Sequence, residues 1–404
     1  MMQHITGIAR NQMVFTSLED PISKDNPVRF IDAFVENIDL KTLGFELRTL
    51  KKEGRPSFDT KIFLKIYLYG YLNGLRSSRK LEKECLRNIE LQWLLCGLLP
   101  NYHSISDFRK DNPSSLKKLF KVFVSFLKDA DLIAGETIAI DGTKSRAHNS
   151  KKANFNQKKI DRHLAYIEEK TQEYLDELAQ NDASENSITI TKIQEKIERL
   201  KTNKIKYELL ETKLKESGEP QISTTDEDSR ALLVQGVVVE VSYNIQAAVD
   251  DKHNLVVATH TINRNDRNAL SAIAIEAKNN LEVETFTALV DKGYHNGREI
   301  TNCKKADITT IVANPEVVNS NKNGTTQDYL VANFVYDSAT DSYQCPQGET
   351  LKTTGKWHKK SGRTEQSGYQ FKKYRTPACK ECPVKSLCTS RSGGRELDRS
   401  EYAD

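Results

Sequence analysis

Two carboxylates sit in the same local pattern. Thr137-Ile138-Ala139-Ile140-Asp141-Gly142-Thr143 is a β-branched run that ends on an Asp followed by Gly, and Thr287-Ala288-Leu289-Val290-Asp291-Lys292-Gly293-Tyr294 repeats the design. A strand that carries an Asp out of its C-terminal end into a Gly turn offers a carboxylate at the rim of a buried sheet. One such ending is an ordinary Asp-Gly turn. Two of them converge if their strands are neighbours. Like charges that close together resist joint ionisation unless a cation lies between them. Hard oxygen ligands favour Mg²⁺ or Mn²⁺.

A second group of chemistry-bearing residues is Cys345, Cys379, Cys382 and Cys388. A CxxC with two further cysteines, on a segment rich in Gly, Thr, Ser and Lys, reads either as a tetrahedral Zn²⁺ site or as four reduced thiols in a β-rich insert. The shortage of large apolar residues around them favours zinc, because little else would hold the segment together.

The elements that must position these groups follow from the rest of the chain. Its 404 residues are enough for two or three domains. A formal net charge of +4 does not by itself argue for nucleic acid; local clustering has to carry that claim. Met1 to Asp20 lacks the apolar core of an export signal, and no apolar run approaches a membrane span. The expected setting is a reducing cytoplasm, on the nucleoid. Seven cysteines, an odd number, then suggest burial or metal rather than disulfides.

Residues 1–55 read as an entry segment in which Asn26-Pro27 opens a short helix bearing Phe30, Phe34 and Ile38. Residues 56–130 read as a helical domain, with starts at Ser57 or Asp59, at Ser77 or Ser78, near Leu91, and at Ser104 with continuation to Leu127. Its interleaved Arg76, Arg79, Lys80 and Arg109 fit either a helix-turn-helix-like DNA reader or a plain bundle with a solvated basic face. A first strand, Glu136 to Asp141, is followed by a basic tract with Lys144, Arg146, Lys151 and Lys152, placed to contact a DNA backbone. Residues 157–222 give two helical stripes broken at Asn181–Ser187, a helical hairpin inserted into the core. Val237 to Val249 alternates with Glu240, Ser242, Asn244 and Gln246 in period two, and Leu255 to Ile262 runs back beside it. Asn265-Asp266-Arg267-Asn268 then caps a helix, Thr287 to Asp291 forms the fourth strand, Gly297 to Ala306 a helix and Ile308 to Ala313 a fifth strand. The expected fold class is mixed α+β: an N-terminal helical domain, then a ribonuclease-H-like core (residues 131–156 and 223–318) in which the first and fourth strands are neighbours. Residues 319–395 form a Cys-bearing β-rich insertion, and 396–404 read as the first turn of a final helix.

Several stretches in this order resemble a bacterial insertion-sequence transposase of the DDE class with an InsH-type helical N-terminal domain. They are Ser106-Asp107-Phe108-Arg109-Lys110, Ile140-Asp141-Gly142-Thr143-Lys144, Tyr243 to Asp250, Asn265-Asp266-Arg267, Asp291-Lys292-Gly293-Tyr294 and Arg399-Ser400-Glu401-Tyr402. The resemblance implies metal-dependent phosphodiester hydrolysis and strand transfer at element ends, by a homo-oligomer bound to terminal inverted repeats and target DNA. It makes Asp141 and Asp291 the first and second acids, holding two metal ions about 3.5–4 Å apart. It also implies a third acid, a Glu on a helix beyond the Cys insertion. The late glutamates here are Glu396 and Glu401. Both precede the position of that helix, so the expectation is a C-terminally truncated transposase, active or as an inactive remnant, or, as the alternative, a non-catalytic, repressor-like protein that binds element ends.

Overall fold

The computed structural model describes residues 7–9, 11–45, 57–181, 187–234, 237–313, 325–359 and 368–403. The predicted boundary at residue 56 and the polar break between the insertion helices lie outside them. The chain divides into two compact units, Met1–Phe126 and Leu127–Asp404.

The first unit is helical: α1 (Pro27–Glu36), α2 (Thr60–Leu72), α3 (Ser78–Arg87), α4 (Ile89–Leu94), α5 (Tyr102–Asp111) and the start of α6 (Pro113–Asp129). Local chemistry sets the starts. Asn26, Asp59, Asn88 and Asn101 each accept a hydrogen bond from a backbone N–H of the first turn that follows. The single helix expected from Ser104 to Leu127 is two helices. Pro113 brings no N–H and disfavours helical backbone at Asn112, which sits at φ −120°, ψ 39°. The entry segment is not separate either: Ile22, Val28, Ile31, Val35, Leu40, Leu43 and Phe45 share one core with Leu64, Ile66, Leu81, Leu91 and Ile105. On α1 the buried positions are Val28, Ile31 and Val35, whereas Phe30 is half exposed. Phe30 and Phe34 meet Phe126 and Phe123 of α6 instead, with ring centroids 6.0 and 5.4 Å apart.

The second unit carries the sheet that positions the paired acids. Its strands are β1 (Thr137–Arg146), the short pair β2 (Asn154–Phe155) and β3 (Ile222–Ser223), then β4 (Arg230–Val234), β5 (Val238–Asp250), β6 (Val256–Ile262), β7 (Phe286–Val290) and β8 (Ile308–Val312). The main sheet runs β4-β5-β1-β7-β8, and β6 also pairs with β5. The edge of β5 away from β1 is shared by β4 and β6, an arrangement made possible by the length of β5. The edge strand β4 was not expected. β1 is antiparallel to β5 and parallel to β7, and β7 is parallel to β8. One face is covered by α9 (Leu270–Leu281), which buries Leu270, Ile273, Ala274 and Ala277, and by α10 (Gly297–Lys305). Glu299 of α10 accepts from the Ser271 backbone (2.9 Å) and hydroxyl (2.6 Å), tying the two helices together.

The inserted hairpin is α7 (Gln157–Asn181) and α8 (Ser187–Ser217), closed at its base by β2 and β3 over Phe155, Ile160, Leu210 and Leu214. A second sheet follows, with β9 (Val335–Asp337), β10 (Ser342–Gln344), β11 (Thr350–Thr353), β12 (His358–Lys359), β13 (Gln370–Arg375) and β14 (Leu397–Ser400). Its order is β12-β13-β11-β10-β9, with β14 paired to β13. Leu397–Ser400 is therefore a strand and not the first turn of a helix. Leu397 fills the small core with Phe334, Tyr343, Leu351 and Tyr374, and the strand's register on β13 runs from Tyr374 to Phe371. No described helix is long and apolar enough to cross a membrane.

Candidate functional site

β1 is longer than its sequence pattern suggested. Pairing with β7 stops at Ile140 opposite Val290, while pairing with β5 continues to Arg146 opposite Ser242. Asp141 is thus the first residue of β1 beyond its parallel neighbour, and Asp291 is the first residue beyond the end of β7. Adjoining strands are about 4.8 Å apart, and residues level with one another in a parallel pair project to the same face. Ile140 and Val290 are buried on the helix-covered face, so Asp141 and Asp291 emerge together on the other, where both are exposed. Asp291 keeps extended backbone at φ −76°, ψ 174°. Ala247 lies opposite Asp141 on β5 and takes little room beside it.

Each carboxylate has one oxygen held by the backbone. Gly142 N–H donates to Asp141 Oδ1 at 2.7 Å, and Gly293 N–H donates to Asp291 Oδ1 at 2.8 Å. Among the described residues neither is met by a lysine or arginine. Two uncompensated carboxylates level with one another fit a hard divalent cation by donor chemistry. No group of three or more His, Cys, Asp or Glu among the described residues is arranged to hold a metal ion as it stands.

The covered face behind this pair carries a polar network that the sequence pattern does not reveal. Asp266, in the turn after β6, accepts from Asn244 Nδ2 (2.8 Å), Gln246 Nε2 (3.0 Å) and Lys144 Nζ (3.1 Å). Tyr294 donates its hydroxyl to Gln246 Oε1. Asn244, Gln246 and Tyr294 are fully buried. Burial works to raise the Asp266 pKa, but the bonds from Asn244, Gln246 and Lys144 outweigh it and hold the carboxyl below its ordinary range. Burial pushes the Tyr294 hydroxyl up, and Asp266, Asp141 and Asp291 all act on it in the same direction. Gly142 sits directly over the network: a Cβ there would lie 2.8 Å from Asn244 Oδ1 and closer still to Asp266 and Gln246. The residue after Asp141 is therefore a glycine for lack of space. Asn244 Oδ1 is buried and accepts no hydrogen bond from the described residues.

Other predicted site residues fall in different places. Lys144 is spent on Asp266, so it serves the network and not a solvent-facing contact. Arg146, Lys151 and Lys152 are exposed on β1 and in the turn Lys151–Ala153. In the helical unit Arg76, Arg79 and Lys80 are exposed, with Arg79 5.0 Å over the Tyr102 ring. Arg109 lies over Tyr67 and is bonded to the Tyr71 hydroxyl at 3.5 Å. Glu396 is paired with Lys373 and Arg391, at 3.0 and 3.1 Å, and with Arg375; Glu401 accepts from the Gln370 backbone. Both are thereby engaged in the second sheet. Cys345, Cys379, Cys382 and Cys388 line a single cavity.

Residues 16–111 match the family model described as "Transposase domain (DUF772)", which spans most of the helical unit and supports a transposase family. No curated protein and no solved structure matches the chain.

Proposed function

We propose that this chain is a DNA transposase of an insertion sequence, in which Asp141 and Asp291 are the acids that hold Mg²⁺ or Mn²⁺ for phosphodiester hydrolysis and strand transfer. The observation that carries this reading is the parallel register of Ile140 on Val290, which delivers two unpaired carboxylates to one face. The strand order, with antiparallel β5 flanking the parallel β1-β7-β8 set on the β1 side, supports a ribonuclease-H-like core of the DDE class. When bound, divalent ions would activate the attacking oxygen and stabilise the leaving one. The protein's own contribution is placement. Backbone N–H groups fix one oxygen of each carboxylate and so aim the other outward. The network of Asp266, Asn244, Gln246 and Tyr294 holds β1 and the Asp291 turn in register.

The match over residues 16–111 supports the helical unit as the DNA-recognising part, of InsH type, with Arg76, Arg79, Lys80 and Arg109 on phosphates and Arg146, Lys151 and Lys152 adding contacts near the acids. The substrates are the terminal inverted repeats of its element and the target DNA, bound by a homo-oligomer. The test is nicking of end-labelled DNA from beside the gene in Mg²⁺ or Mn²⁺. The expected result is metal-dependent nicking that disappears in Asp141→Asn and in Asp291→Asn. Nicking that survives either substitution would refute the assignment. A second reading, binding of element ends without cleavage, is favoured by the absence of a third metal-ligating side chain beside the pair among the described residues. Retarded mobility of the repeat DNA with no nicking selects it.

A further inference from the structure

We propose that Cys345, Cys379, Cys382 and Cys388 bind one structural Zn²⁺ that holds the second sheet together. This site is independent of the paired acids. Its basis is the convergence of four thiols from separate stretches of chain onto one cavity, which Tyr329, Phe334 and Arg395 also line. Cys345 opens the turn after β10: its N–H donates to Glu349 O at 2.9 Å, and its carbonyl accepts from Gly348 at 2.8 Å. Cys379 lies in the turn Pro377–Lys380, and Cys382 follows it, with its carbonyl accepting from Lys385 N–H at 3.1 Å. Cys388 ends the short helix α11 (Lys385–Cys388). These are two turn-borne sulfur groups, one from the β10–β11 hairpin and one from the loop between β13 and β14. The CxxC supplies a chelating pair and the other two cysteines complete a tetrahedral set.

The packing also calls for a staple. The sheet's buried core consists of Phe334, Tyr343, Leu351, Tyr374 and Leu397, with Cys345 and Cys388 packed against it. Such a core is thin for six strands. The loop that closes the cavity is moulded onto a cysteine: Gly394 takes φ +93°, and any side chain there would run into Cys379 Cβ. All four thiols are free of disulfides. Among the described residues no three of these side chains stand in a ligating arrangement as they are, so zinc would have to draw together the four sulfurs that line this cavity. Each ligating thiol gives its proton to solvent as the Zn–S bond forms, and no oxidant is involved. Soft thiolates select zinc over the hard ions suited to Asp141 and Asp291.

The experiment uses the full untagged chain, purified under reducing conditions from zinc-supplemented cells and dialysed against metal-free buffer. Elemental analysis should find about one zinc per chain. Replacement by Co²⁺ should give the intense thiolate-to-cobalt charge-transfer absorption of a sulfur-rich tetrahedral site. The double variant Cys379→Ser/Cys382→Ser should lose the metal, while Cys96→Ser, on an exposed cysteine, should keep it. A wild-type chain that takes up no zinc on reconstitution in reductant overturns the proposal, as does zinc retained undiminished by the double variant. The wild-type zinc and cobalt readings decide the matter even if the double variant fails to fold.

Discussion

Replacing Gly142 with alanine puts one methyl group into a space already filled by polar side chains. The new Cβ would stand 2.8 Å from Asn244 Oδ1 and nearer still to Asp266 Oδ1 and Gln246 Nε2. None of the three is free to swing away. Asn244 and Gln246 are fully buried, and both donate to Asp266, at 2.8 and 3.0 Å. Overpacking of a well-filled site costs about 1–3 kcal/mol. Relief by breaking one donor's bond to the Asp266 carboxylate would instead cost about 1.5–3 kcal/mol. The two routes compete and the cheaper one sets the outcome, so the expected destabilisation is about 1–3 kcal/mol. The assay is urea unfolding by circular dichroism, fitted to the transition that includes the second unit. A double-mutant cycle with Gln246→Ala sharpens it: with the amide gone, the added methyl should cost at least about 1 kcal/mol less than in the wild-type background. A Gly142→Ala chain within about 0.5 kcal/mol of wild type, or strict additivity with Gln246→Ala, would refute the view that this glycine is required by the network beneath it.

Other expectations follow from the same geometry. Tyr294→Phe removes the hydroxyl that satisfies Gln246 Oε1 in a fully buried position and should cost about 1–3 kcal/mol in the same unfolding assay. Lys144→Met strips Asp266 of its only charged partner among the described residues. It should raise the Asp266 pKa, read by carboxylate NMR, and destabilise by about 1–3 kcal/mol. In the second sheet, Lys372 at 2.7 Å, with the hydroxyls of Tyr374 and Tyr336, pulls Asp341 from its ordinary 3.8 down to about 2. A depressed folded pKa means stability that is fully present above the unfolded value and lost as pH falls through the folded one. Thermal melts should therefore show the Asp341 contribution disappearing between about pH 4 and pH 2, and Asp341→Asn should flatten that limb while lowering the Tm at pH 7.

Much of the sheet could be read in advance because period-two runs and Asp-Gly endings are local signals. The neighbouring of the two Asp-bearing strands followed from element order, and the register of β1 on β7 agrees with it. Two features are not legible, each for a physical reason. The period of β5 was clear, yet its polar half, Asn244 and Gln246 with Asp250, turned out to be the fully buried half. Alternation gives the period but not which face is covered, and burial of those amides is repaid by a carboxylate, Asp266, from a turn some twenty residues later. β14 reads as a helix start in sequence because its four residues carry too little pattern, and the strand it pairs with, β13, lies across an intervening loop. The break between α5 and α6, by contrast, is legible in Asn112-Pro113, although the apolar periodicity runs on through both helices. For the cysteines, sequence could propose shared ligation from spacing alone, but their gathering at one cavity needed the fold of the second sheet.

The most direct test of the paired-acid account is a Mn²⁺ titration of the full chain, followed by electron paramagnetic resonance of the free ion. The account predicts saturable binding that Asp141→Asn and Asp291→Asn each weaken by about tenfold or more, at least 1.4 kcal/mol of lost affinity. Glu401→Gln, on a carboxylate engaged with the Gln370 backbone in the second sheet, should leave it unchanged. Binding equally tight in either aspartate variant, or absent from the wild-type chain, would contradict it.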